Sequence, residues 1–251
     1  MGAYGKLKPR IAAMLAAPDW ERRLVDLEDT PAKQCVGPLL SLLLRGGETT
    51  WRAVTALGVT VARLADMSLE QGREVMRQLM WYLNEESGGV GWGVPEVMGE
   101  ILARHEGLAR EYHSILVSYI TDTGRHGNYL DHAPLRRGAF WGVARLAQVR
   151  PDLVASAAPA LRAALSTAVF PPAPSCPSSQ ASAALPESTD PAIPGLAAWA
   201  LGLIQAADAA DDLASLAQDP TPCELFRDGA LQSLTVGALA REALARIQAK
   251  A

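Results

Sequence analysis

The chain has 251 residues, 49% of them hydrophobic, and 23 Lys and Arg against 27 Asp and Glu give a formal charge of −4. That is apolar material for a large core, and the length allows one or two domains. The acidic balance argues against a general nucleic-acid binder, and with no apolar run of 18 residues a membrane-spanning helix is not expected.

Taken in order, a short helix is expected over 6–16 and a second over 20–28 behind Asp19. Pro31 opens a third to Arg45, with Val36, Leu39, Leu40, Leu43 and Leu44 apolar, and Gly46-Gly47 ends it. Thr49 or Thr50 can cap a helix over 51–65 that turns Val54, Leu57, Val61 and Leu64 inward. Ser68-Leu69-Glu70-Gln71 reads as a capping box, and Val75, Met76, Leu79, Met80 and Leu83 follow at helical spacing. Three glycines between Asn84 and Gly91 stop that helix. Pro95 then fits a first helical turn, where its missing N–H costs nothing. Val94, Val97, Met98, Ile101 and Leu102 form the buried stripe of that helix, with Glu96, Glu100 and Arg104 on its other face. Helices over 106–120, 135–149 and 152–168 follow, the second after a polar loop at 121–133. Residues 169–192 are dense in Pro and Ser and read as a flexible insertion. Helices are expected again over 193–206, 209–217 and 223–234, and a last one over 236–249 caps the array.

A repeat is visible in this pattern. Ala62-Arg63, Ala103-Arg104 and Ala144-Arg145 are spaced evenly by about 41 residues, and Val61, Leu102 and Val143 keep the same step. A period of about 40–47 residues with two helices per unit lies in the HEAT and armadillo range. The pattern Arg52-Ala53-x-x-Ala56-Leu57-Gly58 resembles the HEAT-like repeats named after phycobilisome lyases, and Arg227-x-x-Ala230-Leu231 is a looser echo. The block 84–102 and the run Leu135-Arg136-Arg137-Gly138 further resemble an uncharacterised bacterial family of HEAT-repeat proteins. The resemblance spans about 31–247 and implies an all-α fold, a right-handed α-α superhelix; with N-terminal helices in 1–30 the chain reads as the single domain 1–251, a HEAT-like solenoid of about five helical pairs. It carries no catalytic residue onto this chain.

Connections inside the expected pairs are long, at 84–92, 121–133 and 170–191, whereas those between pairs are one or two residues. In a solenoid the long ones emerge on one rim, and elaboration confined to one rim suggests a binding edge. That rim would carry Glu85, Glu86, Trp92, Glu96, Asp131, His132, Arg136 and Arg137. Arg136 and Arg137 open a helix, where the macrodipole opposes cations, so Glu85, Glu86 or Asp131, or an anionic ligand, is expected to offset them. Trp51, Trp92, Trp141 and Trp199 fall on or beside second helices, which line a solenoid's concave face. Trp92 and Trp141 are candidate anchors there, and burial in the core is the alternative.

His126, Asp131 and His132 match no zinc or calcium motif, and no metal or other cofactor is expected. Cys35, Cys176 and Cys223 are odd in number and scattered. They fit a reducing compartment, and with no leader-like apolar core in Met1–Arg10 a cytoplasmic location is expected. The function expected is a non-catalytic scaffold for a protein or peptide, with no membrane partner and no nucleic acid. The competing expectation is a small enzyme or ligand-binding protein with its site between 84–92 and 121–133, using Glu85, Glu86 and His132 for acid–base work.

Overall fold

The computed structural model describes residues 3–84, 91–124, 127–166 and 190–249. Glu85, Glu86, His126, Cys176 and nearly all of the 169–192 insertion lie outside them.

The chain is an all-α solenoid. Helices α1 (Ala3–Ala16) and α2 (Trp20–Arg23) lead into α3 (Ala32–Leu40), α4 (Gly47–Met67), α5 (Leu69–Leu83), α6 (Val94–Arg104), α7 (Glu106–Ser118) and α8 (Ala133–Ala147). Then come α9 (Pro151–Val154), α10 (Ala158–Leu165), α11 (Ile193–Leu203) and α12 (Ala210–Leu216). An antiparallel hairpin of β1 (Pro222–Arg227) and β2 (Ala230–Thr235) precedes α13 (Val236–Gln248). The second helices α4, α6, α8, α11 and α13 pack side by side as a continuous inner layer, and α3, α5, α7, α10 and α12 pack outside it. One core runs through the array from Ile11 to Ile247.

The two layers follow from the sequence. Outer helix α5 has one buried stripe, Val75, Met76 and Leu79, and leaves Glu70, Arg73 and Arg77 to solvent. Inner helices have neighbours on both flanks, so α11 buries ten consecutive residues from Ile193 to Gly202. Leu57, Met98 and Ala139, at one step of the repeat, are fully buried, as are Val61, Leu102 and Val143. Inner helices approach closely where glycine allows it. A β-carbon on Gly99 would stand 2.6 Å from the Gly142 carbonyl oxygen, so α6 and α8 touch backbone to backbone.

Local corrections have local causes. The helix expected over 152–168 is interrupted by a 3-10 turn at Ala155–Ala157 before Pro159 restarts it as α10. Ser68 caps α5 by position only, since its hydroxyl makes no capping bond. Gly46, at φ +77°, starts α4, and Thr50 instead donates to the Leu43 carbonyl and accepts from the Gly46 amide.

The larger correction is 223–234, expected as a helix and found as the hairpin. Asp228 and Gly229 both take positive φ, +53° and +75°, as a two-residue hairpin turn requires. Alternation accompanies it, with Cys223 and Leu225 buried and Glu224 between them exposed. The fifth pair is therefore α12 with α13, and the hairpin is its intra-pair connection. Helix 236–248 completes that pair rather than capping the array from outside it.

Candidate functional site

The hairpin folds back across the inner layer. The Phe226 ring stacks on Trp51 of α4, centroids 5.1 Å apart and planes within 6°, and its carbonyl accepts from Trp141 Nε1 of α8 at 2.9 Å. Trp51 and Trp141 also meet at 4.8 Å. Arg227 fastens the strand to α13 through both Glu242 oxygens, at 2.9 and 2.8 Å. The turn at Gly229 closes against Glu21 of α2. Aromatic rings thus join the fifth connection to the first and third inner helices, and the surface beneath is divided into two clefts.

The cleft under the hairpin tip, about 530 Å³, is walled by Thr55, Glu100, Arg104, Trp141, Arg145 and the 226–229 turn. Glu100, expected on an open face, is only 3% exposed. Gly58 on α4 makes room for it, because a β-carbon there would overlap Glu100 Cγ. Arg104 Nε donates to its Oε1 and Arg145 Nε to its Oε2, each at 2.6 Å. Two of the arginines that mark the repeat therefore share one buried carboxylate, and the third, Arg63, donates instead to the Leu27 and Thr30 carbonyls. These bonds tie Glu100, Arg104 and Arg145 together as structure.

The second cleft, about 520 Å³, opens at the rim. Three intra-pair connections and a helix start meet there: Leu43 to Thr50 before and within the start of α4, Trp92 and Gly93 before α6, Glu224 and Leu231 of the hairpin, and Pro134, Leu135 and Arg137 in the first turns of α8. Trp92 is 42% exposed and meets the His132 ring edge-on at 5.2 Å. Glu96 lies at the third position of α6 with Gly138 of α8 against its carboxyl group. Its side chain is half-buried, and Oε2 is shut off from solvent with no hydrogen-bond partner among the described residues. Burial pushes this carboxyl up to about 7, against smaller lowering effects from its own backbone amide and from Arg137.

Of the residues singled out from the sequence, Trp92, Glu96 and Arg137 line this cleft, and His132 abuts it through Trp92. Asp131 is exposed nearby in sequence, and Trp141 lies under the hairpin, 3% exposed, facing the other cleft. Arg136 does not offer its charge to the rim. It is 5% exposed, its Nη1 donates to the Leu130 and Asp131 carbonyls at 2.7 and 3.0 Å, and its guanidinium lies over the Tyr129 ring. Arg137 pairs with Asp190 at 3.0 Å. The offset expected from Glu85, Glu86 or Asp131 carboxylates thus comes, among the described residues, from two backbone carbonyls and from Asp190. Sequence reading named Trp51 only among the tryptophans of the second helices, and missed Phe226 and Glu224. The Asp228-Gly229 pair was the available signal for the hairpin that carries the last two.

Among the described residues no group of three His, Cys, Asp or Glu could hold a metal ion, and no helix is long and apolar enough to cross a membrane. His105 and His113 are used within helices, His105 Nδ1 accepting from the Leu108 amide and His113 Nδ1 bonding the Ala109 carbonyl.

No protein-family model matches the chain, and no curated protein matches it. Among solved structures it is similar to a designed armadillo repeat protein, YIII(Dq)4CqI, at 16% identity and a TM-score of 0.46, over 95% of this chain and 99% of that one. It is also similar to an engineered protein solved in a structural genomics programme, at 16% identity and a TM-score of 0.48, over 96% of each chain.

Proposed function

We propose that the chain is a non-catalytic interaction module of the HEAT type, which holds a segment of a partner protein at the rim cleft and along the adjoining inner face. The observation that carries this reading is the meeting of three intra-pair connections and the first turn of α8 around one cleft, with an exposed indole, Trp92, and a carboxyl oxygen, Glu96 Oε2, that has no donor among the described residues. A buried polar atom without a partner costs about 1–3 kcal/mol, and that cost is recovered when a ligand supplies the bond. Half-exposed tryptophans in concave sites are the usual anchors of such contacts. Arg137 and His132 flank the site, with Asp131, Glu85 and Glu86 on the same connections. Arg136 and Trp141 serve it indirectly by fixing a connection and the hairpin. The buried, unpaired thiols of Cys35 and Cys223 suit a reducing cytoplasm.

The test is to pan a displayed library of random twelve-residue peptides against the wild type and against Trp92→Ala, after circular dichroism shows both are folded. A consensus enriched by the wild type and lost from the variant supports the reading. No enrichment by the wild type refutes it.

A second reading has one observation in its favour. An acid held near pH 7 in a cleft is poised for general acid–base chemistry, so the site could instead serve a small-molecule ligand or substrate beside 84–92 and 121–133. Native mass spectrometry of the purified protein would reveal a retained small molecule, lost from Glu96→Gln.

A further inference from the structure

We infer that the rim cleft takes a basic side chain, a lysine ammonium or an arginine guanidinium, with the Glu96 carboxyl group as its acceptor and Trp92 beside it. The inference rests on the reading of the cleft as a site for a partner's segment, and it names the chemistry the segment must bring.

Three features converge on a cation. The first is the unpartnered acceptor. Glu96 Oε2 is excluded from solvent and has no donor among the described residues. Lysine and arginine carry donors only, so either satisfies it without adding another unpaired acceptor. The second is the charge of the walls. Glu224 stands exposed on the hairpin side of the same cleft. The cation that lines it, Arg137, is already matched by Asp190 at 3.0 Å. An entering anion would meet two carboxyl groups and a guanidinium already engaged, whereas an entering cation meets complementary charge. The third is the apolar lining. Trp92, 42% exposed, presents indole surface, the best cation–π partner among side chains. Leu43, Leu135 and Leu231 can cover the methylene stem that lysine and arginine bury behind a charged head.

The competing occupants fit worse. A purely apolar side chain would bring no donor to the Glu96 carboxyl group. A divalent metal would want more oxygen ligands than Glu96 and Glu224 supply, since Asp190 is held by Arg137.

The test uses the whole 251-residue chain and the displayed twelve-residue library, read this time for composition. The expected result is a consensus with lysine or arginine beside an apolar residue. A synthetic peptide of that sequence should lose at least tenfold in affinity when its basic residue becomes norleucine, and a similar amount against Glu96→Gln. A larger loss on Glu96→Gln than on Trp92→Phe distinguishes the ionic acceptor from mere packing. An acidic or wholly apolar consensus overturns the cationic inference and leaves the segment-binding reading standing. A basic consensus whose affinity Glu96→Gln does not change overturns the assignment to this carboxyl group. No enriched peptide overturns both readings.

Discussion

Replacing Glu96 by Gln keeps the shape of the side chain and removes its ability to ionise. In the folded protein burial holds this carboxyl at about 7, against an ordinary 4.5. At about 1.4 kcal/mol per pH unit, that difference is worth about 3 kcal/mol. Because the folded value is the higher one, the stabilising contribution is fully present below pH 4.5 and is lost as pH rises through 7. At pH 8 the wild type holds a desolvated carboxylate that the glutamine variant lacks. The variant should therefore be the more stable protein at pH 8, by up to about 3 kcal/mol, and about equal near pH 4.5. For a chain of this length the gain corresponds to a rise in Tm of about 6–12 °C. The assay is thermal unfolding of both proteins by circular dichroism between pH 4.5 and 8.5. Taking the difference between them removes the other carboxylates, such as Glu70, Glu106 and Glu111, whose hydrogen bonds to arginines lower them and tilt the curve the opposite way. A difference that stays constant with pH, or a variant less stable at pH 8, would refute the assignment of a buried, unpartnered carboxyl.

Three further outcomes follow from packing and burial. Gly99→Ala places a methyl group against the Gly142 backbone, which cannot swing aside like a side chain, and should cost about 3 kcal/mol in chemical unfolding; a neutral result would mean α6 and α8 stand further apart. Phe226→Ala removes the ring stacked on Trp51 and should cost about 3 kcal/mol while shifting tryptophan emission to the red; unchanged emission would mean the hairpin does not cover these indoles. Burial raises Cys35 above the ordinary thiol range and Cys223 to about 11, so both should resist iodoacetamide at pH 8 until the protein is unfolded; peptide mapping that finds either labelled in the native protein would contradict their burial.

The inner helices were legible because their signal is local and periodic. The step of about 41 residues that aligns Val61, Leu102 and Val143 reports three helices in one environment, and all three residues are fully buried. The hairpin was less so. Leu225, Phe226, Leu231 and Leu234 satisfy a helical stripe about as well as two short strands, and only Asp228-Gly229 separates the readings. The rim cleft lay beyond any local pattern. Glu96 meets Gly138, and Trp51 meets Phe226, only because the solenoid's curvature and the returning hairpin bring them together. Charge partners misled for a similar reason. A sequence shows the carboxylates near Arg136, but not the two carbonyls that a buried guanidinium can take instead.

Glu96 and Glu100 provide an internal control, since they lie one turn apart on α6 and each abuts a glycine of a neighbouring inner helix, Gly138 or Gly58. Their partners differ. Glu100 is held by two guanidiniums at 2.6 Å, whereas Glu96 Oε2 has no donor among the described residues. Breaking a buried ion pair from one side leaves the other charge uncompensated, and Arg145 has only 21% of its side chain exposed to find water. Glu100→Gln should therefore destabilise the fold at pH 8, by about 2–4 kcal/mol, where Glu96→Gln stabilises it. The same chemical change, one helical turn away, takes the opposite sign. Stability alone would favour a neutral residue at 96, so a carboxyl kept there at a stability cost is the trade-off expected of a binding residue. Urea unfolding of both variants at pH 8 checks this directly. If both substitutions destabilise, Glu96 is as well compensated as Glu100 and the cleft loses its claim to a missing cation.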